Sequence, residues 1–284
     1  MTRAATRLVA LLGHPVSHSR SPAMMTHAFA TLGIDAAYVA CDVEQTSLEN
    51  AVRGLAALGA VGANVTVPHK IAAVSSCDSL DTAARAIGAV NTLRFERGRV
   101  HGHNTDARGA VDALRARGFD PRGAHVVVLG AGGAARAIAV GLVEAGATRV
   151  NVRARNSARA AEVAEIVRCA GGDGDAGVLG AADDAIASAQ LVVQATSAGL
   201  DGREDDLAMV RALDGARSGA VAMDAVYTPR ETRWLAAARA QGLTAVDGLG
   251  MLAAQAARAL EIWFGAPVNA EILRQFLDAP ERRG

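Results

Sequence analysis

The sequence predicts an α/β protein of two domains, and three observations carry that prediction. A chain of 284 residues exceeds one average domain and gives each of two halves enough length to bury its own core. Short β-rich runs alternate with helical stretches along it, the grammar of sheets covered by helices. A glycine-rich turn, Gly130-Ala-Gly-Gly-Ala-Ala-Arg-Ala137, follows an apolar run and opens a helical one, so a dinucleotide-type βαβ unit begins at mid-chain and a whole domain precedes it.

The first strand is read at 8–12, behind Arg3 and Arg7, an apolar run too short for the core of a signal peptide. Ser21 reads as an N-cap and Pro22 as the first helical residue. Gly33 closes that helix after about three turns; the helix carries Met24, Met25, Ala28, Phe29 and Leu32, and its methionines are read as core. A strand at 37–41, a helix from near Thr46 and a strand at 61–65 follow. A helix beginning at Thr105 or Asp106 runs to Gly118 with Val111 and Leu114 facing inward, and Phe119-Asp-Pro-Arg-Gly123 breaks the chain. Beyond the break come a strand at 124–129, the glycine turn, a helix to about Ala145 and a strand at 149–153. Gly171-Gly-Asp-Gly-Asp-Ala-Gly177 is too poor in side chains to pack and reads as a surface loop. Strands at 189–194 and 220–224, a helix at 232–241, a strand at 243–246, a long helix at 250–264 and a tail helix complete the chain.

The domain assignment is 1–107 for an N-terminal α/β substrate-binding and catalytic domain and 108–249 for a C-terminal Rossmann domain with a doubly wound parallel sheet. Helices in 250–284 are expected to pack back on the first domain, with a cleft between the two.

With 29 basic and 29 acidic residues, the chain has no global field for nucleic acid or an anionic membrane, so any anion is bound locally. Cys41, Cys77 and Cys169 are odd in number and widely spaced, which fits a cytoplasmic protein without a disulfide framework. Arg136 and Glu144 interrupt the longest apolar stretch, so no membrane span is expected. His101 and His103 flank Gly102, but no cysteine or carboxylate completes a ligand spacing, and no metal is expected.

Gly130, Gly132 and Ala135 match the G-x-G-x-x-G/A spacing, in which backbone amides and a helix N-terminus hold a pyrophosphate. An NAD site of this type carries an acid about twenty residues further on to bind the ribose 2′-hydroxyl. Here that stretch reads Arg153-Ala-Arg-Asn-Ser-Ala-Arg159, whose arginines, with Asn156 and Ser157, suit a 2′-phosphate. NADP is therefore the expected cofactor.

Three polar clusters lie ahead of that loop. Lys70 follows a Thr-Val-Pro turn at a strand's C-terminal end, where ligands bind in open α/β sheets, and Asp106 opens a helix after Asn104 and Thr105. A lysine tethered by an aspartate can give and take the hydroxyl proton that accompanies hydride transfer at a secondary alcohol. Ser19 and Ser21, after the first strand and at a helix start, suit a carboxylate, while His18 reads as structural.

At these residues the chain resembles the shikimate dehydrogenase family, almost from end to end. The motifs are HSRSP at 18–22, NVTVPHK at 64–70, IGAVNT at 87–92, GHNTD at 102–106 and GAGGAARA at 130–137. ATSAG at 195–199, DAVYTP at 224–229 and DGLGMLAAQA at 247–256 follow in order. The resemblance implies NADP-dependent interconversion of 3-dehydroshikimate and shikimate, on the route to chorismate and the aromatic amino acids. It implies Lys70 and Asp106 as the catalytic pair, and Ser19, Ser21, Thr66, Asn91, Asp106, Tyr227 and Gln255 around the substrate. Gly130, Ala131, Gly132, Gly133, Ala134, Ala154, Arg155, Asn156, Arg159, Ala225 and Gly248 would line the cofactor. The expected partners are small molecules, and the expected assembly is a monomer or homodimer. The chain departs from the family pattern at Met25-Thr26, at Gln194, and at Ala154-Arg155-Asn156 in the turn for the adenosine phosphate. The rival readings are a quinate/shikimate dehydrogenase with broader substrate or NAD use, and a non-catalytic NADP-binding regulatory protein.

Overall fold

The computed structural model describes residues 2–180, 183–200, 207–265 and 267–279. The chain divides into two units, Met1–Thr105 with Ala253–Gly284, and Asp106–Leu252. Each is built around a six-stranded sheet, and together they make an α/β fold.

In the first unit β1 (Arg7–Gly13), α1 (Ser21–Leu32), β2 (Ala36–Asp42), α2 (Leu48–Ala57) and β3 (Gly62–Val65) form a parallel layer in which β1 lies between β2 and β3. The sheet then turns mixed. After β4 (Ser79–Leu80) and α3 (Thr82–Ile87), a hairpin of β5 (Thr92–Glu96) and β6 (Arg99–His103) adds antiparallel to β3. The order is β2-β1-β3-β5-β6-β4. Its core joins Ala10, Leu12, Val52, Ala63, Val65, Leu93 and Val100 from strands and α2.

One detail of α1 differs from the sequence expectation. Ser21 is the first helical residue and not the cap; Arg20 precedes the helix in αR conformation, with no side-chain cap. A chain arriving already helical at Arg20 leaves no extended residue for a serine to cap from. Met24, Met25, Ala28 and Phe29 are buried, but Leu32 is 37% exposed, because Gly33 in the left-handed region (φ 66°) ends the helix and leaves its last turn at the surface.

The second unit opens with α4 (Asp106–Arg115) and then runs β7 (His125–Leu129), α5 (Gly133–Glu144), β8 (Arg149–Ala154), α6 (Ser157–Cys169) and β9 (Asp173–Val178). It continues with α7 (Asp184–Ser188), β10 (Leu191–Gln194), α8 (Leu207–Ala212), β11 (Val221–Asp224), α9 (Arg233–Ala240) and β12 (Thr244–Val246). All its strands pair in parallel, in the order β12-β11-β10-β7-β8-β9. After His125, strand β7 is apolar because both faces are covered: Val126 and Val128 enter one core, Val127 and Leu129 the other. The strand order reverses at β7, with β8 on one side and β10 on the other. That reversal is the switch point where open α/β sheets bind ligands.

The glycine-rich 171–177 segment is a correction. Most of it belongs to β9, an edge strand and not a loop. Small residues are required there because α6 packs directly on the strand. A Cβ on Gly174 would stand 2.3 Å from the Ala164 carbonyl oxygen of α6, and just ahead of the strand one on Gly172 would stand 2.7 Å from Val143 of α5.

The long helix α10 (Leu249–Phe264) carries the chain from the second unit back to the first, and α11 (Ala270–Asp278) follows. In the first unit the Trp263 indole donates to the Leu93 carbonyl at 2.9 Å. Gly62 admits that ring, since a Cβ there would lie 2.2 Å from Trp263 Nε1.

Candidate active site

The glycine turn of the second unit is a backbone device. Gly130 has φ +122°, a conformation strained for any other residue, and a Cβ there would lie 2.9 Å from the Ala195 carbonyl oxygen at the end of β10. Its amide donates to the Arg153 carbonyl at 2.8 Å, tying the turn to the end of β8. Gly132 caps α5 with extended backbone and no side-chain cap. Nothing lies within 4 Å of the position its Cβ would take. The α5 N-terminus therefore stands open beside Ala131, Gly132, Gly133 and Ala134, and its amides and dipole fit a pyrophosphate.

The turn after β8 is more selective than its sequence suggested. Ala154 ends the strand, and Asn156 caps α6, its Oδ1 accepting the Arg159 amide at 3.0 Å. Arg155 and Arg159 are exposed, and neither guanidinium holds an ion pair among the described residues. Arg153 is different. It is 9% exposed, and its guanidinium is bound by Asp183 and, at 3.0 Å, by Asp175. Burial works against its charge, but the two carboxylates more than offset this, so its pKa lies above the ordinary arginine value. Of the arginines in 153–159 it is not available to a phosphate. Arg155 and Arg159 remain, with no acid in the turn itself.

A second loop of this unit is held from its root. Asp224, fully buried at the end of β11, accepts the Val226 amide at 2.9 Å and the Thr232 hydroxyl at 2.6 Å. Thr232 in turn caps α9 through the Leu235 amide. These bonds fix both ends of the loop that carries Ala225 and Tyr227. Gly248 packs against it so closely that a Cβ would lie 2.7 Å from the Val226 carbonyl oxygen and 2.8 Å from that of Ala225. Gln194, one of the departures from the family pattern, folds its buried amide into the turn after β10, donating to the Ala198 carbonyl and accepting the Thr196 amide. Asp106, also of this unit, is the first residue of α4 and 3% exposed.

In the first unit the polar candidates gather at one end of the sheet. Ser19 and Ser21 follow β1, and the Ser19 hydroxyl accepts the Ser21 amide at 3.3 Å. Thr66 follows β3, and its amide donates to the Leu12 carbonyl at 2.8 Å. A Cβ on Gly13 would lie 2.3 Å from the Thr66 methyl, so glycine lets the two strand ends cross closely. Half-buried Lys70 comes one turn later, its carbonyl accepting the Val90 amide at 2.7 Å. That bond and the one from the Val65 amide to the Asn91 carbonyl, 2.8 Å, join the Lys70 turn to the start of β5.

Asn91 sits at the centre of a buried hydrogen-bond network. Its Oδ1 accepts the Thr105 amide at 2.8 Å and the Thr92 hydroxyl at 3.1 Å. Its Nδ2 donates to Thr105 Oγ1 at 2.9 Å and to Gln255 Oε1 at 3.3 Å. Asn64 extends the network, donating to the Asn91 carbonyl and to Thr92 Oγ1, and the Tyr38 hydroxyl donates to Asn64 Oδ1 at 2.8 Å. Tyr38, Asn64 and Thr92 received no role from the sequence. Asn64 and Thr92 belong to the NVTVPHK and IGAVNT motifs, but no local pattern connects them to a tyrosine on another strand.

The paired histidines have local partners: His101 meets Ser79 at 2.8 Å and His103 meets Asp81 at 3.1 Å. Among the described residues no group of three or more His, Cys, Asp or Glu could hold a metal ion. Burial pushes the Cys77 thiol up to about 11 and also raises Cys41, so neither is poised as a nucleophile. Among the described residues no helix is long and apolar enough to cross a membrane.

Comparison with known proteins covers both units. Three family profiles match in chain order: the shikimate dehydrogenase substrate binding domain over residues 11–93, shikimate/quinate 5-dehydrogenase over 113–219, and the shikimate 5′-dehydrogenase C-terminal domain over 248–275. The shikimate dehydrogenase (NADP(+)) of Methanopyrus kandleri is 44% identical over 96% of this chain and 95% of its own length. The structure of shikimate 5-dehydrogenase from Thermus thermophilus in complex with NADP(H) and shikimate is 35% identical. Its TM-score is 0.82, over 95% of this chain and 98% of that one. Quinate dehydrogenase from Corynebacterium glutamicum in complex with NAD is 30% identical with a TM-score of 0.84, over 96% of this chain and 99% of that one.

Proposed function

The chain belongs to the shikimate dehydrogenase family, and from that premise we propose how its residues reduce 3-dehydroshikimate to shikimate in the route to chorismate and the aromatic amino acids. It is an NADP-dependent oxidoreductase whose reaction is the reversible reduction of a ring carbonyl. The observation that carries the residue assignment is the convergence of Ser19, Ser21, Thr66, Lys70 and Asn91 at one end of the β1–β3–β5 layer. In this reading the glycine and arginine turns of the second unit hold the cofactor, and the first unit supplies most of the substrate contacts.

NADPH, when bound, supplies the hydride; the protein supplies orientation and a proton. Gly130 to Ala134, with the open α5 N-terminus, hold the pyrophosphate, and Arg155 and Arg159 hold the 2′-phosphate, with Ala154 and Asn156 shaping their turn. Ala225 and Gly248 would line the cofactor. The Ser19 and Ser21 hydroxyls bind the carboxylate, while Thr66, Asn91, Tyr227 and Gln255 bind ring hydroxyls. Lys70 and Asp106 are the catalytic pair: the ammonium hydrogen-bonds the carbonyl oxygen and delivers the proton that makes it a hydroxyl, and the Asp106 carboxylate accepts from a ring hydroxyl of the substrate and so orients the ring. A cytoplasmic location suits three free thiols.

Quinate oxidation with NAD is the competing activity, favoured by the likeness to the Corynebacterium enzyme. The arginine turn without an acid, and two serines at 19 and 21, speak for shikimate and NADP. Initial rates followed by NADPH absorbance, with shikimate and quinate each against NADP and NAD, decide between them. The expected order has shikimate with NADP fastest, and equal rates on quinate with NAD would overturn the reading.

A further inference from the structure

Arg153 is the one arginine of the cofactor turn that faces the protein, and its surroundings are built for it. In register it pairs directly with Gly177 of β9. A Cβ on Gly177 would lie 3.1 Å from Arg153 Nε and 3.2 Å from Cζ, so the guanidinium lies in a groove that glycine opens. At the end of that groove Asp183, 11% exposed in its side chain, bonds Nε and Nη2 while also capping α7 through the Ala185 amide. Asp175 and the Val152 carbonyl bond Nη1. On its backbone side, Arg153 accepts the Gly130 amide. One residue thus links the glycine turn, the edge strand and the cap of α7, all within the second unit.

The acids matter as much as the arginine. An NAD site uses a carboxylate at the end of the second strand to bind the ribose 2′-hydroxyl, and a carboxylate there repels a 2′-phosphate. This chain has no acid in the turn, yet β9 and the segment after it bring two carboxylates to the last residues of β8. We propose that Arg153 is a specificity-determining positioning residue: it engages Asp175 and Asp183 and pins the end of β8, so that a 2′-phosphate meets Arg155 and Arg159 and no unmasked acid. This rests on the NADP reading above and adds to it a residue that does not touch the cofactor.

The test is binding without turnover: calorimetric titration of NADP, NAD and 2′,5′-ADP into wild type, R153M, and R153M/D175N/D183N, with Arg155→Ala as the direct-contact reference. Unmasking the carboxylates in R153M should weaken NADP and 2′,5′-ADP by about tenfold and leave NAD unchanged or tighter. Removing the acids as well should restore most of the lost affinity, because replacing every member of an ion cluster is tolerated where removing one partner is not. If R153M does not fold, R153K, which keeps the charge but not the planar fork, is expected to move the same ratio less far. Equal losses for NADP and NAD in R153M, or no recovery in the triple variant, would overturn the inference. Wild-type protein that prefers NAD would sink the cofactor reading itself, whereas an NADP-preferring wild type with an unchanged R153M ratio would sink only the role of Arg153.

Discussion

The glycine turn of the second unit and the Asn91 network of the first hold their ligand-facing residues by opposite means. In the Asp106–Leu252 unit the glycine turn works through backbone: a positive φ at Gly130, an uncapped α5 N-terminus, and a Gly248 that no side chain could replace. In the first unit the work falls to side chains, with Asn91 gripped by Thr92, Thr105 and Gln255, and Asn64 gripped by Tyr38. A backbone site tolerates changes in its neighbours so long as glycine stays where a Cβ has no room. A side-chain network fails at any member, because each buried donor or acceptor it loses leaves another unpaired.

The largest expected effect tests whether the labour divides this way. Lys70→Ala should lower kcat by roughly two to four orders of magnitude through loss of a proton-transfer group. NADP affinity, measured by titration without substrate, should hold, because the cofactor's proposed contacts lie in the other unit. A parallel loss of NADP binding would break the comparison, and near-normal turnover would remove Lys70 from the chemistry.

What could be read in the sequence follows the same division. The glycine turn and the strands around it were legible because a Cβ clash and a two-sided burial each leave a local mark: a glycine at fixed spacing, or an unbroken apolar run such as that in β7. The edge strand β9 was misread because its glycines answer to α6 above it and to Arg153 beside it, contacts that no local pattern records. Arg153 was grouped with Arg155 and Arg159 for the same reason, since its partners Asp175 and Asp183 lie on later elements. Of the Asn91 network, the family resemblance gave roles to Asn91 and Gln255 alone. The network's members span Tyr38 to Gln255, and nothing in periodicity joins them.

A smaller effect probes the backbone site. Gly130→Ala puts a methyl 2.9 Å from the Ala195 carbonyl oxygen at φ +122°. Strain of about 1–3 kcal/mol, relieved by shifting the turn away from its bonds, should weaken NADPH binding by about ten- to hundredfold. Shikimate binding to the apo protein should stay within about twofold. Isothermal titration of each ligand separates the two, and equal weakening of both would show that the sites are not held independently.

The smallest effect probes the network from its far end. Tyr38 touches no proposed ligand, yet its hydroxyl is the donor to Asn64 Oδ1, and Asn64 in turn donates to the Asn91 carbonyl and to Thr92. Tyr38→Phe keeps the ring in its buried place and deletes one oxygen, so Asn64 Oδ1 loses its partner at a cost of about 1–3 kcal/mol. For a chain of this length that lowers Tm by a few degrees, on the order of 2–4 °C per kcal/mol. A purely structural hydroxyl would do no more. If the network orients Asn91, the shikimate KM should also rise about two- to fivefold while kcat and the NADP Kd stay level, since a loosened amide weakens substrate binding without touching the proton donor. A Tm drop with an unchanged KM would confine Tyr38 to stability and reduce the network to its inner members, Asn91, Thr92, Thr105 and Gln255.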